Sequence, residues 1–145
     1  MALDKDTRAT PQELFDEWDK DLNFTIDVAA SATNTKCERF YDEEQNGLLQ
    51  SWRGERVWCN PPYSEIPKWV EKAHNERDAE FICMLIPANR TEQPFWQEFI
   101  EPHRDRGKRL YTCFLSKRIR FIHPETGLMG SPMFGCVMLV WHRDQ

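Results

Sequence analysis

The sequence predicts an α/β domain whose sheet is mostly parallel and carries an antiparallel C-terminal strand. Three observations point there. Short apolar runs alternate with amphipathic segments along most of the 145 residues, the pattern of strands joined by helical crossovers. The run "EFICMLIPA" (80–88) is almost continuously apolar, as in a strand covered on both faces. No helical pattern separates the last two strand-like segments, 108–116 and 134–142, so these should pair antiparallel or frame a loop.

The elements follow in order. "TPQELFDEWDKDL" (10–22) starts as a helix should, with Thr10 as N-cap, Pro11 at the first helical position and Glu13 able to close a capping box. Leu14, Phe15, Trp18 and Leu22 share one helical face. "FTIDVAAS" (24–31) reads as a strand ending in small residues, and the polar stretch 32–55 as short helix and loop. "RVWCN" (56–60) is a short strand stopped by Pro61, and "SEIPKWVEKAHNER" (64–77) is a helix with Ile66, Trp69, Val70 and Ala73 inward. After the buried strand 80–88 comes a short helix over 91–101, with Phe95, Trp96, Phe99 and Ile100 inward. The strands 108–116 and 134–142 close the chain, and the turn-rich stretch between them suits a hairpin or flap.

The length fits one domain over residues 1–145 with a real core. No apolar run is long enough to span a bilayer, and the N-terminus has no apolar signal region. A cytoplasmic protein is expected. The five cysteines are isolated, without a CxxC pair, and read as buried thiols in a reducing compartment. The four histidines stand at no ligand spacing, so no metal site is expected. The net charge is −5, yet residues 101–145 carry eight basic and four acidic side chains. This asymmetry is either a polyanion footprint or a solvated face.

Chemistry concentrates in "VWCNPPYSEIPKW" (57–69). Pro61 and Pro62 fix their own φ angles and hold the residue before each extended, so the carbonyls of the turn point in set directions. The Asn60 carboxamide oxygen and a main-chain carbonyl can then converge on one NH₂ group. Tyr63 offers a flat face for a planar amide or base. The turn sits at the carboxyl end of a strand, where open α/β sheets place ligands.

"NPPY" (60–63) resembles the [DNS]PP[YFW] motif of amino-group methyltransferases that use S-adenosylmethionine. The wider pattern, from "TPQELFDEW" through "FTIDVAASATNTKCERFY" and "NGLLQSW" to "RVWCNPPYSEIPKWVEKA", resembles the phage-type DNA N6-adenine methyltransferase (Dam) family. It covers residues 10–75 closely, and "RIRF…GSPMFGCVMLV" more loosely. The resemblance implies a compact Rossmann-like methyltransferase fold, S-adenosyl-L-methionine as methyl donor, and DNA adenine as substrate. It also implies work in the cytoplasm of a bacterium or phage-infected host, with protection from restriction as a suitable purpose.

By the same resemblance, Asn60 and the carbonyl of Pro61 accept hydrogen bonds from the adenine N6 amino group, Pro62 stiffens the turn, and Tyr63 stacks on a base flipped from the duplex. On the cofactor side it implicates Thr10 and Pro11, then Asp27 with Ala29, Ala30 and Ser31 near the methionine part, and Asn34 and Asn46 near the adenosine. Two departures matter. The glycine-rich FxGxG cofactor loop is replaced by alanines, and no segment is large enough for a separate target-recognition domain. Contacts to DNA would come from loops, with Lys117, Arg118 and Arg120 as candidates. Methylation of a protein glutamine, which presents the same NH₂ donors, stays open at this point. So do methylation of an RNA base and a non-catalytic DNA-binding remnant of the fold.

Overall fold

The computed structural model describes residues 10–116 and 135–143. Among the described residues five strands form one sheet in the order β1-β2-β3-β5-β4, with β1 Ile26–Asp27, β2 Arg56–Cys59, β3 Phe81–Pro87, β4 Leu110–Phe114 and β5 Cys136–His142. β1, β2 and β3 pair in parallel, and β5 runs antiparallel to both β3 and β4. Four strands therefore point one way, and the C-terminal strand alone is reversed, as the sequence predicts. Asp27 N donates to Arg39 O and Tyr41 N to Asp27 O, so residues 39–41 cover the outer edge of β1.

Two α-helices, α1 Gln12–Leu22 and α2 Ile66–Asn75, bury the expected faces: Phe15 in α1, and Ile66, Trp69, Val70 and Ala73 in α2. The expected helix over 91–101 is a π-helical turn, Trp96–Ile100, followed by a 3-10 turn, Glu101–His103. It buries Phe95, Trp96 and Ile100 but leaves Phe99 only partly covered. β3 is buried at every position after Phe81, which explains its unbroken apolar run. Trp52, Trp58, Trp96 and Trp141 are fully buried around the sheet, and Phe15 and Phe24 both meet the Trp58 ring edge-on.

Three expectations need correction. The strand anticipated over 24–31 is ordered as a strand only at Ile26–Asp27, because the Asp27 carboxylate takes the amides of Ala29 and Lys36 and turns the chain. Thr10 does not cap α1; Pro11 holds the N-cap position without a side-chain bond. Cysteine burial holds for Cys59, Cys83 and Cys136, whereas Cys37 is half-buried and Cys113 is exposed on β4. Burial pushes the Cys83 and Cys136 thiols up to about 12, so neither is a thiolate at neutral pH. Among the described residues no group of three or more His, Cys, Asp or Glu is arranged for a metal ion. Nor is any helix among them long and apolar enough to cross a membrane.

Candidate active site

The site is built where β1 and β2 end side by side. β2 stops at Cys59, and Pro61 and Pro62 carry the chain, with Pro62 at φ −57° and ψ 133°, into a 3-10 turn over Tyr63–Glu65. The ring of Pro62 pre-sets that φ, and α2 begins directly behind the turn. Asn60, Pro61, Pro62 and Tyr63 therefore lie at the carboxyl end of the sheet, as expected.

The Asn60 carboxamide is anchored across 50 residues of chain: Nδ2 donates to Thr10 Oγ1 at 2.9 Å. Thr10 is 2% exposed, so this bond lies away from competing water. With its amino end committed, the side chain has a fixed sense, and the buried oxygen Oδ1 is the other end of the same plane. Thr10 thus belongs to this turn rather than to the helix it precedes. Nothing in the local sequence signals the contact, since the capping pattern accounts for Thr10 equally well.

Tyr63 is 7% exposed. The Arg90 guanidinium lies over its ring, 5.6 Å from the centroid, and Arg90 Nη1 donates to Tyr63 O at 3.4 Å. Arg90 follows β3, whose carboxyl end adjoins that of β2. The sequence reading did not single out Arg90, and only its position just past the end of a buried strand could have pointed to it.

At the β1 end, Asp27 is 3% exposed and organises the following turn. Its Oδ1 accepts from Ala29 N at 3.4 Å and its Oδ2 from Lys36 N at 3.0 Å. Burial pushes the Asp27 carboxyl up to about 6, against the pull of those two amides and of the Lys36 charge. Ala29 and Ala30 are half-buried. Ser31 N donates to Asn34 Oδ1 at 2.7 Å, so Asn34 closes the turn. Asn46, at φ 55°, accepts from Leu48 N and caps the 3-10 turn Gly47–Leu49. Gly47 packs on the β1 exit so tightly that a Cβ there would lie 2.1 Å from Val28 O.

The structure thus brings together Thr10 with Asn60, and Asp27 with the Ala29 and Lys36 amides of the turn that Asn34 closes on Ser31, while Asn46 is held beside β1 by its neighbour Gly47. Pro11 adjoins Thr10, and Lys117, Arg118 and Arg120 lie outside the described residues.

The raised Asp27 value has a consequence for stability. A carboxyl with an ordinary value near 3.8 in the unfolded chain and about 6 in the folded one favours folding in its neutral form. Its contribution is full below the unfolded value and is lost as pH rises through the folded one. The stability of the wild type relative to Asp27→Asn should fall by up to about 3 kcal/mol between pH of about 4 and 6.5. Urea unfolding of both proteins across that range measures the difference, and parallel pH profiles would contradict it.

The DNA N-6-adenine-methyltransferase (Dam) family model matches residues 2–145. Over 126 residues the chain is 31% identical to a DNA N-6-adenine-methyltransferase of Haemophilus phage HP1, covering 86% of this chain and 70% of that protein. Over 72 residues it is 42% identical to a DNA N-6-adenine-methyltransferase of Escherichia phage T1, covering 46% of this chain and 29% of that protein.

Proposed function

Since the chain belongs to the DNA N-6-adenine-methyltransferase (Dam) family, we propose that it methylates the N6 amino group of adenine in DNA with S-adenosyl-L-methionine as donor. The observation that carries this reading is the Asn60 carboxamide, held by a buried Thr10 hydroxyl beside two prolines and an aromatic at the carboxyl end of β2. We assign the fold to the Rossmann-like methyltransferases, in keeping with ligand turns at the carboxyl ends of adjacent parallel strands. Within residues 1–145, taken as one methyltransferase domain, DNA contacts are assigned to loops, Lys117, Arg118 and Arg120 among them. The reaction is placed in the cytoplasm of a bacterium or phage-infected cell.

The turn after β1 fits such a donor. Ala29 and Ala30 carry nothing beyond Cβ, and the buried Asp27 carboxyl holds the backbone of the turn in place through the Ala29 and Lys36 amides. Ser31, Asn34 and Asn46 flank the same end, and Thr10, bonded to Asn60, stands with Pro11 just ahead of α1. When bound, S-adenosyl-L-methionine supplies a methyl group made electrophilic by its sulfonium.

The residues of this chain handle the acceptor. The adenine N6 lone pair is delocalised into the ring, so the nitrogen is a poor nucleophile. Asn60 Oδ1 and the Pro61 carbonyl accept its two N–H bonds and draw it toward tetrahedral geometry. They also stabilise the positive charge that develops on nitrogen until one N6 proton is released to solvent, and their fixed orientation removes the reorganisation cost. Tyr63 receives the flipped base, offsetting part of the few kcal/mol that flipping costs.

Incubating the purified protein with labelled S-adenosyl-L-methionine and unmethylated DNA, then digesting to nucleosides, tests the reading. Label should appear in N6-methyladenine. Label found instead in protein glutamine, in RNA or in methylcytosine would overturn it.

A further inference from the structure

We infer that Arg90 is a DNA-binding residue of the active site: it covers the Tyr63 ring in the DNA-free protein and moves to a phosphate of the target nucleotide when adenine enters. The inference rests on the methyltransferase reading above and adds a residue that the motif does not contain.

Three observations support it. First, one face of the ring proposed to receive the adenine is occupied. Tyr63 is 7% exposed, and the Arg90 guanidinium stands 5.6 Å over its ring. A base cannot stack there until that group leaves. Second, the attachment is weak enough to exchange. Arg90 is partly exposed, its bond to Tyr63 O is long at 3.4 Å, and a cation–π contact at such a site is weaker than base stacking on an aromatic. Third, the charge has no carboxylate partner among the described residues. Among the described residues the ion pairs join other side chains, and none includes Arg90. A half-buried guanidinium without a carboxylate, beside the turn that receives a nucleotide, has a phosphodiester as its natural counter-ion.

The two roles fit one side chain. Arg90 stands at the end of β3, next to the end of β2. A guanidinium displaced from the ring by a base stays close to the backbone of that same nucleotide. Stacking and phosphate binding then form together, and the base enters as the cation finds its partner.

The test follows log(kcat/KM) for methylation of unmethylated plasmid DNA against log[salt]. It uses the wild type, Arg90→Ala, Arg90→Lys and Arg90→Gln. Loss of one phosphate contact should flatten the slope by about 0.9 for Arg90→Ala and Arg90→Gln, and Arg90→Lys should keep the wild-type slope. Over a four-fold rise in salt, the neutral variants then lose about 3-fold less of their kcat/KM than the wild type. Glutamine retains a donor for the Tyr63 carbonyl, so it decides the matter if Arg90→Ala fails to fold. A wild-type slope in Arg90→Gln overturns the inference, because Arg90 then serves only to hold Tyr63. If the wild type forms no N6-methyladenine, the underlying reading fails instead and takes this inference with it. The two failures are therefore distinct.

Discussion

Asn60→Ala should lower the rate of methyl transfer by about 10²–10³-fold, the range seen when one preorganised hydrogen-bonding group is removed from the charge-bearing atom of a transition state. Binding of S-adenosyl-L-methionine should change little, because the donor is assigned to the neighbouring turn around Asp27. Calorimetric titration with the donor and nucleoside analysis after turnover separate the two effects. Loss of donor binding with the rate would place Asn60 on the wrong side of the site. The buried Thr10 hydroxyl provides a graded companion. Thr10→Val removes the partner of Asn60 Nδ2 and lets the carboxamide turn. An unsatisfied buried donor costs about 1–3 kcal/mol, so a loss of roughly ten-fold is expected. Thr10→Ser should restore the rate.

Of the glycines in the described fold, Gly47 is the one at which an added methyl should do most damage, so Gly47→Ala should be strongly destabilising. Its Cβ would lie 2.1 Å from Val28 O and 3.1 Å from the Trp69 ring. Neither neighbour can yield easily. Val28 N is hydrogen-bonded to Trp58 O at 3.1 Å, and Trp69 stacks on the buried Trp52 at 6.3 Å. The Trp52 indole N–H also donates to Gly47 O at 3.0 Å, so moving the glycine breaks a buried bond. Overpacking of this kind costs about 1–3 kcal/mol or more, a fall of roughly 5–10 °C in Tm. Donor affinity should fall as well, because the displaced carbonyl belongs to the β1 exit. Calorimetry on the folded variant measures both, and an unchanged Tm would show that the loop has slack the packing does not reveal.

Much of this was legible in the residues because burial imposes a period. α2 shows its inward face as Ile66, Trp69, Val70 and Ala73, and β3 shows double-sided burial as an unbroken apolar run. The reversed last strand could be anticipated from the missing helix before it. Other features depend on contacts between distant segments, which no local pattern carries. Thr10 suits a helix cap on its own sequence, and only the fold brings Asn60 to it. β1 looks eight residues long because its neighbours are apolar or small, yet the Asp27 side chain bends the backbone after two. Arg90 carries no motif, and its meaning lies in the ring beneath it. For the site, the turn 60–63 could be read directly. Its supports could not.

The reversal of β5 also bears on how such a protein can diversify. At one edge of the sheet Phe114 pairs with Val137 and Pro87 with Cys136, while Leu115 N donates to Cys136 O and Ala88 N to Gly135 O. The chain therefore leaves β4 and re-enters β5 at the end of the sheet that bears Asn60. Residues 116 and 135, which bound the stretch that includes Lys117, Arg118 and Arg120, both lie at that rim, and the register of β4 on β5 is fixed by pairs outside that stretch. A change in the length of that stretch would thus meet the sheet beside the turn at 60–63 and not at its far end.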